Sequence, residues 1–331
     1  MKDCPISIAP MMEWTDRHCR YFLRLISRRV RLYTEMLTSA ALIHGDRTQL
    51  LRYHQAEHPL ALQVGGSEPR ELARCAEWAA EAGVDEINLN VGCPSERVQA
   101  GRFGACLMLE PERVADCVAA MHGEVSLPVT VKTRIGVDRQ ESYAALARFV
   151  ELLAGAGTAR LIVHARKAWL QGLSPRQNRE IPPLRYDWVY RLKRDFPGLP
   201  VHLNGGITTL AEAREHLRYV DGVMIGRAAY HNPWLLADVD REFAADGSPP
   251  PTRHQVVGRL LPYVEQELAA GTRLQQIARH LLGLFQGQPG ARAWRRYLSE
   301  HAHRPDAGIE VLQEALARVP RAAQLNRASS G

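Results

Sequence analysis

The chain has 331 residues, 46% of them apolar, and a net charge of +6, which is enough apolar content for a large core. No apolar run approaches the roughly 20 residues that a bilayer span needs, so a membrane partner is excluded. The N-terminal MKDCPISIAPMMEW lacks the long apolar stretch of a secretory signal, and the expected location is cytoplasmic.

Eight short apolar or β-branched runs, each followed by turn residues and a helical pattern, are expected as strands. In chain order they are 6–11 (ISIAPM), 31–37 (RLYTEML), 60–66 (LALQVGG), 86–92 (EINLNVG), 128–134 (PVTVKTR), 160–166 (RLIVHAR), 200–206 (PVHLNGG) and 222–227 (GVMIGR). Between them, stretches such as SEPRELARCAEWAAEAG carry apolar residues at helical spacing with Gly at the end. Eight strand–helix alternations over about 230 residues is the count of an α/β (β/α)8 TIM barrel. A doubly wound sheet would also alternate, but no G-x-G-x-x-G or G-x-x-x-x-G-K-[ST] fingerprint is present.

The alternation stops near residue 235. After the Pro-rich DGSPPPTRHQ (246–255) the pattern is helical only, in HQVVGRLLPYVEQELAAG, RLQQIARHLLGLFQG, ARAWRRYLSEHA and IEVLQEALARV. The expected division is a barrel over 1–240 and a small all-helical domain over 241–331. The latter holds twelve arginines, no lysine and eight carboxylates, a net +4. Only four of the 42 basic residues in the whole chain are lysine. GC-rich coding would give that bias, and so would a polyanionic partner, because arginine forks match phosphate oxygens. The six cysteines show no C-x-x-C spacing, so free thiols are expected rather than disulfides or a zinc site.

Catalytic residues of such barrels project from the C-terminal strand ends. Those ends read Pro10-Met11-Met12, Thr34-Glu35, Gln63, Asn88 and Asn90 followed by Cys93, Lys132 and Arg134, His164 and Arg166, Asn204-Gly205-Gly206, and Gly226-Arg227. Polar groups inside strand runs are costly unless used or paired. The glycine turns after the seventh and eighth strands form a candidate phosphate site from the N–H groups of Gly205, Gly206, Gly226 and Arg227; the alternative is that they only turn the chain. Lys132 is either a fixed cation under an electron-rich ring such as a reduced flavin, or the ion-pair partner of Glu35. Gln63 and Asn90 both donate and accept, which suits a heterocycle edge. His164 alone could be a packed core histidine; Arg166 on the same strand face favours an anion or flavin contact.

The stretches APMMEWTDRHCR, LNVGCPSERVQAGRFGACLM, VKTRIGV, IVHARKAWLQGLSP, NREIPPL, LNGGI and DGVMIGRAAYHNPW resemble the tRNA-dihydrouridine synthases. HARKAWLQGLSP and NREIPPL resemble their A subfamily, and GLFQGQPGARAWRRYLSEHAH extends the likeness into the helical tail. The resemblance implies an FMN-bound barrel and a helical tRNA-binding domain. It implies NADPH-driven reduction of uridines 20 and 20a in the D-loop, near the tRNA elbow. By motif match, FMN contacts fall on Met11, Met12, Glu13, Gln63, Lys132, His164, Asn204, Gly205, Gly206, Gly226 and Arg227. Cys93 matches the catalytic cysteine, Asn90 lies at the uracil, and Arg292 and Arg295, with Arg296 on the same helix face, fall where tRNA is held.

Chemistry supplies the reason for an exposed thiol between Gly92 and Pro94. Hydride from the flavin's N5 would reach C6 of uracil, and C5 then needs a proton from the opposite face. A thiol with an ordinary pKa near 8.5 carries that proton at neutral pH. Gly92 permits close approach and Pro94 stiffens the turn. Cys106 and Cys117 read as packing cysteines. A flavin barrel acting on a free small molecule is the competing enzyme reading, and a tRNA-folding module is the competing binding reading; neither explains the barrel, the Cys93–Lys132–His164 set and the basic tail together. No protein partner or metal is inferred.

Overall fold

The computed structural model describes residues 4–244 and 247–320. Among them, nine strands form one parallel sheet: β1 (Ile6–Ile8), β2 (Leu32–Tyr33), β3 (Leu37–Thr38), β4 (Leu60–Gly65), β5 (Glu86–Val91), β6 (Val129–Arg134), β7 (Arg160–His164), β8 (Val201–Asn204) and β9 (Gly222–Ile225). They run β1-β9-β8-β7-β6-β5-β4-β2, with β3 also on β4. Between β1 and β2 the circle closes through Ile8 N–H to Arg31 O at 2.9 Å and Arg31 N–H to Ile6 O at 3.2 Å. The expected (β/α)8 barrel is the observed one, with helices such as Pro69–Ala82, Pro111–Glu124, Tyr143–Gly155 and Tyr186–Asp195 between strands.

The expected second strand, 31–37, is two short pieces. Gln63 N–H, which would meet a backbone carbonyl in an unbroken ladder, bonds to Thr34 Oγ1 at 3.0 Å instead. That hydroxyl donates to Glu35 O at 2.7 Å, so the side chain interrupts the strand.

Alternate residues of a strand face opposite sides. Ile87, Leu89 and Val91 of β5, Val129 and Val131 of β6, and Leu161 and Val163 of β7 are fully buried. They lie on the apolar side of their strands; each such side chain contributes about 1.5–3 kcal/mol by burial. The opposite side of the same strands carries Glu86, Asn88, Asn90, Thr130, Lys132, Arg134, Arg160 and His164. An apolar cluster of Ala9, Tyr33, Ala61, Ile162 and Met224 fills the middle of the barrel. A one-residue slip would exchange the polar and apolar columns, so the alternation fixes the register.

Packing divides the chain into two compact units. The barrel unit comprises 4–15 and 31–226; the helical unit comprises 16–30 and 227 onward. The boundary differs from the 240/241 break expected from the sequence, because the helix Arg17–Ile26 belongs with the C-terminal helices. Its N-cap Asp16 accepts from the N–H groups of His18 (3.0 Å) and Cys19 (2.9 Å), and also from Arg279 (2.6 Å) and His280 (3.0 Å). Burial alone would raise the Asp16 carboxyl, but His280, the cap and Arg279 hold it far below the usual range. Arg17 forks onto Glu267, and Tyr21 stacks on Tyr263 with ring centres 3.9 Å apart.

Among the described residues the unit also holds the helices Arg227–His231, Val239–Phe243, Arg253–Ala269, Leu274–Ala278, Ala291–His301 and Ile309–Ala317. The expected helix over 273–287 thus stops at Ala278. Beyond it, i to i−3 bonds such as Leu284 N–H to Leu281 O (3.0 Å) carry the chain. Within this stretch a Cβ on Gly283 would lie 2.2 Å from His231 O, so the backbone passes too close there for any side chain. The last residues, 321–331, lie outside the described ones.

Asp240 is the second pin of this unit. Its buried carboxylate accepts from Ser27 Oγ at 2.5 Å, Arg28 N–H at 2.7 Å and Arg29 N–H at 3.1 Å. Asp240→Ala strands three donors and is expected to cost about 2–4 kcal/mol. The partly exposed Asp238→Ala, which loses a surface pair with Arg241, should cost under about 0.5 kcal/mol. Urea midpoints of the two variants check the difference.

Candidate active site

The sheet register gathers the expected residues at one end of the barrel. Gln63 pairs with Asn88, Asn90 with Lys132, Arg134 with His164, His164 with Asn204, and Asn204 with Met224. Cys93 follows β5 on a turn whose two N–H groups, of Gly92 and Cys93, both donate to Asn90 Oδ1 at 3.0 Å. Asn90 Nδ2 donates to Gln63 Oε1 at 2.9 Å. From the other side Arg134 Nε donates to Gly92 O at 2.9 Å, and Ala105 N–H to Cys93 O at 2.9 Å. The turn is clamped on both faces, and its half-buried thiol lies 3.5 Å from Ser95 Oγ.

Cys75 and Cys117 are buried thiols pushed up to about 12 by burial, and Cys106 is raised for the same reason. Cys106 Sγ is turned onto Phe103 O at 3.0 Å. These are packing cysteines, as their sequence contexts indicate.

Lys132 makes no ion pair among the described residues; Glu35 Oε1 instead accepts the N–H of Glu13. Desolvation, and then the Arg134 charge, push Lys132 down to about 8, with Cys93 opposing. Arg134 is brought to about 10 by desolvation, with Arg179 and Arg166 adding to it. His164, 8% exposed, is held well below its ordinary value by burial and by Arg134 and Lys132, so it is neutral at pH 7. The charges acting on this histidine are all cations. Such a set suits an anionic, phosphate-bearing group.

Gly205 and Gly206 have φ of 109° and 78°, in the region that favours glycine. A Cβ on Gly205 would lie 2.5 Å from His164 Cδ2, and one on Gly206 2.6 Å from the Tyr186 hydroxyl. Tyr186 in turn donates to Gly205 O at 2.8 Å, and Asn204 Nδ2 to Met224 O at 2.7 Å. At Gly226 a Cβ would make ordinary contact with Ala9 Cβ at 3.6 Å and Met11 Sδ at 4.0 Å. Met12 is exposed, and Glu13, at φ 65°, takes part through its backbone N–H. Arg227 opens the first helix of the helical unit, Arg227–His231.

Arg292, Arg295 and Arg296 are exposed on the helix Ala291–His301 and line one open groove with Leu282, Ala293 and Ser299. None of the three makes an ion pair among the described residues. The opposite face of that helix buries Trp294 and Leu298.

Two residues with positions but no roles in the sequence reading hold the mouth together. Arg134 NH1 donates to Lys167 O and Asn178 O, both at 3.0 Å. Asn178, fully buried, accepts from Trp169 N–H at 2.7 Å and donates to Trp169 O at 2.9 Å. The Asn of the NREIPPL stretch is therefore a pin for the loop after β7. Arg134 stands two residues beyond Lys132, on the same strand face, which was the available signal.

The model of the family described as "Dihydrouridine synthase (Dus)" matches residues 7–320. A Vibrio vulnificus protein named tRNA-dihydrouridine(20/20a) synthase is 59% identical over 318 residues, 96% of this chain and 97% of that one. Proteins of the same name from Shewanella oneidensis and Salmonella typhimurium are each 60% identical, covering 95% and 94% of this chain and 93% of their own lengths. Among solved structures, morphinone reductase shares the fold, with a TM-score of 0.53 at 12% identity over 76% of this chain and 88% of that one. By the family match and these relatives, the chain belongs to the dihydrouridine synthase family.

Proposed function

We propose that the protein reduces the C5=C6 bond of uridines 20 and 20a in the tRNA D-loop to 5,6-dihydrouridine, with bound FMN and NADPH as the electron donor. The observation that carries this reading is the clamped, half-buried thiol of Cys93 beside a mouth lined by Gln63, Asn90, Lys132 and His164. The names of relatives about 60% identical over nearly the whole chain supply the substrate.

The residues fit a flavin mononucleotide. Gly205, Gly206 and Gly226 would present their backbone N–H groups to the phosphate. Lys132 would stand at the N1–O2 edge of the ring, where a reduced flavin is negative; Gln63, His164 and Asn204, with the turn of Met11, Met12 and Glu13, would border it. When bound, the flavin supplies hydride to C6 of the uracil.

The chain's own groups do the rest. Asn90 spends Oδ1 on the thiol turn and one Nδ2 proton on Gln63, so its second proton is left for a uracil carbonyl. Cys93 gives its proton to C5, and the clamp keeps the sulfur in place while it does so. A stacked base cannot enter the barrel, so the uridine is extruded from the tRNA fold. The barrel unit is the catalytic part and the helical unit the tRNA-holding part, in the cytoplasm. Arg292, Arg295 and Arg296 are its phosphate contacts.

Cys93→Ala should bind FMN and accept electrons from NADPH as the parent does. Oxidation of its reduced flavin by unmodified tRNA should slow by about 10²–10⁴-fold, read by stopped-flow absorbance and by dihydrouridine content in mass spectrometry. Normal turnover would make the thiol structural.

Lys132→Met should retain the phosphate site yet lower the bound flavin's reduction potential by about 30 mV, the two-electron equivalent of ~1.4 kcal/mol. An unchanged potential by spectroelectrochemistry would remove Lys132 from the ring.

For the helical unit, Arg292→Ala with Arg295→Ala should weaken tRNA binding and flatten its log–log salt dependence by about two units, one per phosphate contact. A slope equal to the parent's would mean that this groove faces water.

A further inference from the structure

One unbroken run of donated hydrogen bonds crosses the barrel interior from the Cys93 turn to a buried carboxylate. The N–H groups of Gly92 and Cys93 donate to Asn90 Oδ1, and Asn90 Nδ2 to Gln63 Oε1. Gln63 Nε2 donates to Asn88 Oδ1 at 2.7 Å, Asn88 Nδ2 to Thr130 Oγ1 at 2.8 Å, and Thr130 Oγ1 to Glu86 Oε1 at 2.6 Å. Glu86 is 1% exposed and is charge-balanced by Arg160 and Arg31. Its Oε1 also accepts from the Tyr33 hydroxyl at 2.7 Å.

Amide oxygens and nitrogens look alike, but here both ends dictate the orientation. Backbone N–H groups only donate, so Asn90 must turn its oxygen to the thiol turn and its nitrogen to Gln63. A carboxylate only accepts, so Thr130 must give it a proton and can then accept from Asn88. Starting from either end gives the same direction for Asn88, Gln63 and Asn90. The three amides are thereby locked as a set.

We propose that Thr130 and Glu86, at the far end of this chain from the thiol, are positioning residues for Cys93, acting through the oriented amides of Asn88, Gln63 and Asn90. The inference about rate rests on the function proposed above; the inference about the turn does not. Thr130 is buried and belongs to no binding surface. Its hydroxyl is the one link that turns a carboxylate's demand for a donor into an amide orientation. With that link cut, Asn88 Nδ2 loses its acceptor on β6, and the amides are held in order from the thiol-turn end alone, with no anchor on the barrel floor.

Thr130→Val removes the link at nearly constant volume. Amide exchange at Gly92 and Cys93, followed residue by residue, should rise about tenfold as the turn loses its fixed acceptor. Oxidation of the reduced flavin by tRNA should slow about tenfold, with reduction by NADPH unchanged. Thr130→Ser, which keeps the hydroxyl, should restore both. Tyr33→Phe takes another hydroxyl from the same Glu86 oxygen without cutting the chain, so it should leave the two amides protected. Equal loosening by Tyr33→Phe would show general softening of the core and overturn the proposal, as would parent-like amides in Thr130→Val. Should Thr130→Val not fold, Asn88→Ala cuts the same chain one link on and is held to the same two readouts. If the parent itself transfers nothing to tRNA, the proposed function fails while the amide exchange still decides the positioning role.

Discussion

A carboxylate buried in a barrel must be satisfied completely, and Glu86 shows how much of the structure that requirement organises. Its two oxygens take a tyrosine, a threonine and two arginines drawn from three different strand regions. Burial, with Glu86 beside it, holds the Tyr33 hydroxyl well above its ordinary range, so it stays a donor. Removing the carboxylate would leave Arg31 and Arg160 uncompensated, the costly way to break a buried pair. The floor of the barrel therefore has one set of partners, and the amides above it inherit their orientation.

The mouth is built on the opposite principle. Around Glu86 each cation has its anion, whereas at the mouth burial and then neighbouring cations depress the charged forms: Arg134 acts on Lys132 and His164, and Arg179 and Arg166 act on Arg134. Arg134 is stabilised by the carbonyls of Gly92, Lys167 and Asn178 rather than by a carboxylate. A fold that neutralises its floor and leaves its mouth positive keeps an electrostatic preference for an anion at one end only. The reading of a flavin phosphate and an electron-rich ring rests on this asymmetry together with the glycine turns after β8 and β9. His164 fits the same picture: neutral, it can lie against Gly205 without adding a further charge.

Much of this was legible in the chain. Period-two alternation in EINLNVG and VTVKTR marks which side chains share a face, so the polar column could be read before any coordinates. The thiol of Cys93 stood out because Gly92 and Pro94 leave it no core to hide in. What was hidden has a common cause: it depends on partners distant in sequence. The break in the second strand needs Gln63 to choose the Thr34 hydroxyl. The need for glycine at 283 appears only once His231 O is found against it. Arg134 reads as one more strand-end cation until three carbonyls from two loops are found around it. Local pattern gives the face of a residue; only the closed barrel gives its partner.

The helical unit carries that lesson to the scale of a domain. A break after residue 240, shortly before the Pro-rich stretch 246–255, looks natural in the sequence. Yet Asp240 is a buried acceptor for Ser27, Arg28 and Arg29, and Glu267 for Arg17. Tyr263 meets His18 at 2.8 Å, and Asp16 takes Arg279 and His280. A C-terminal piece cut at that break would lose Asp240 itself and expose the face that Arg17–Ile26 covers. Roughly two hundred residues of barrel separate the segments, but loop closure grows only as the logarithm of length, about 0.6 kcal/mol per doubling. A handful of buried carboxylate contacts outweighs that term. The unit is thus discontinuous at modest entropic cost, and its smallest faithful form includes residues 16–30.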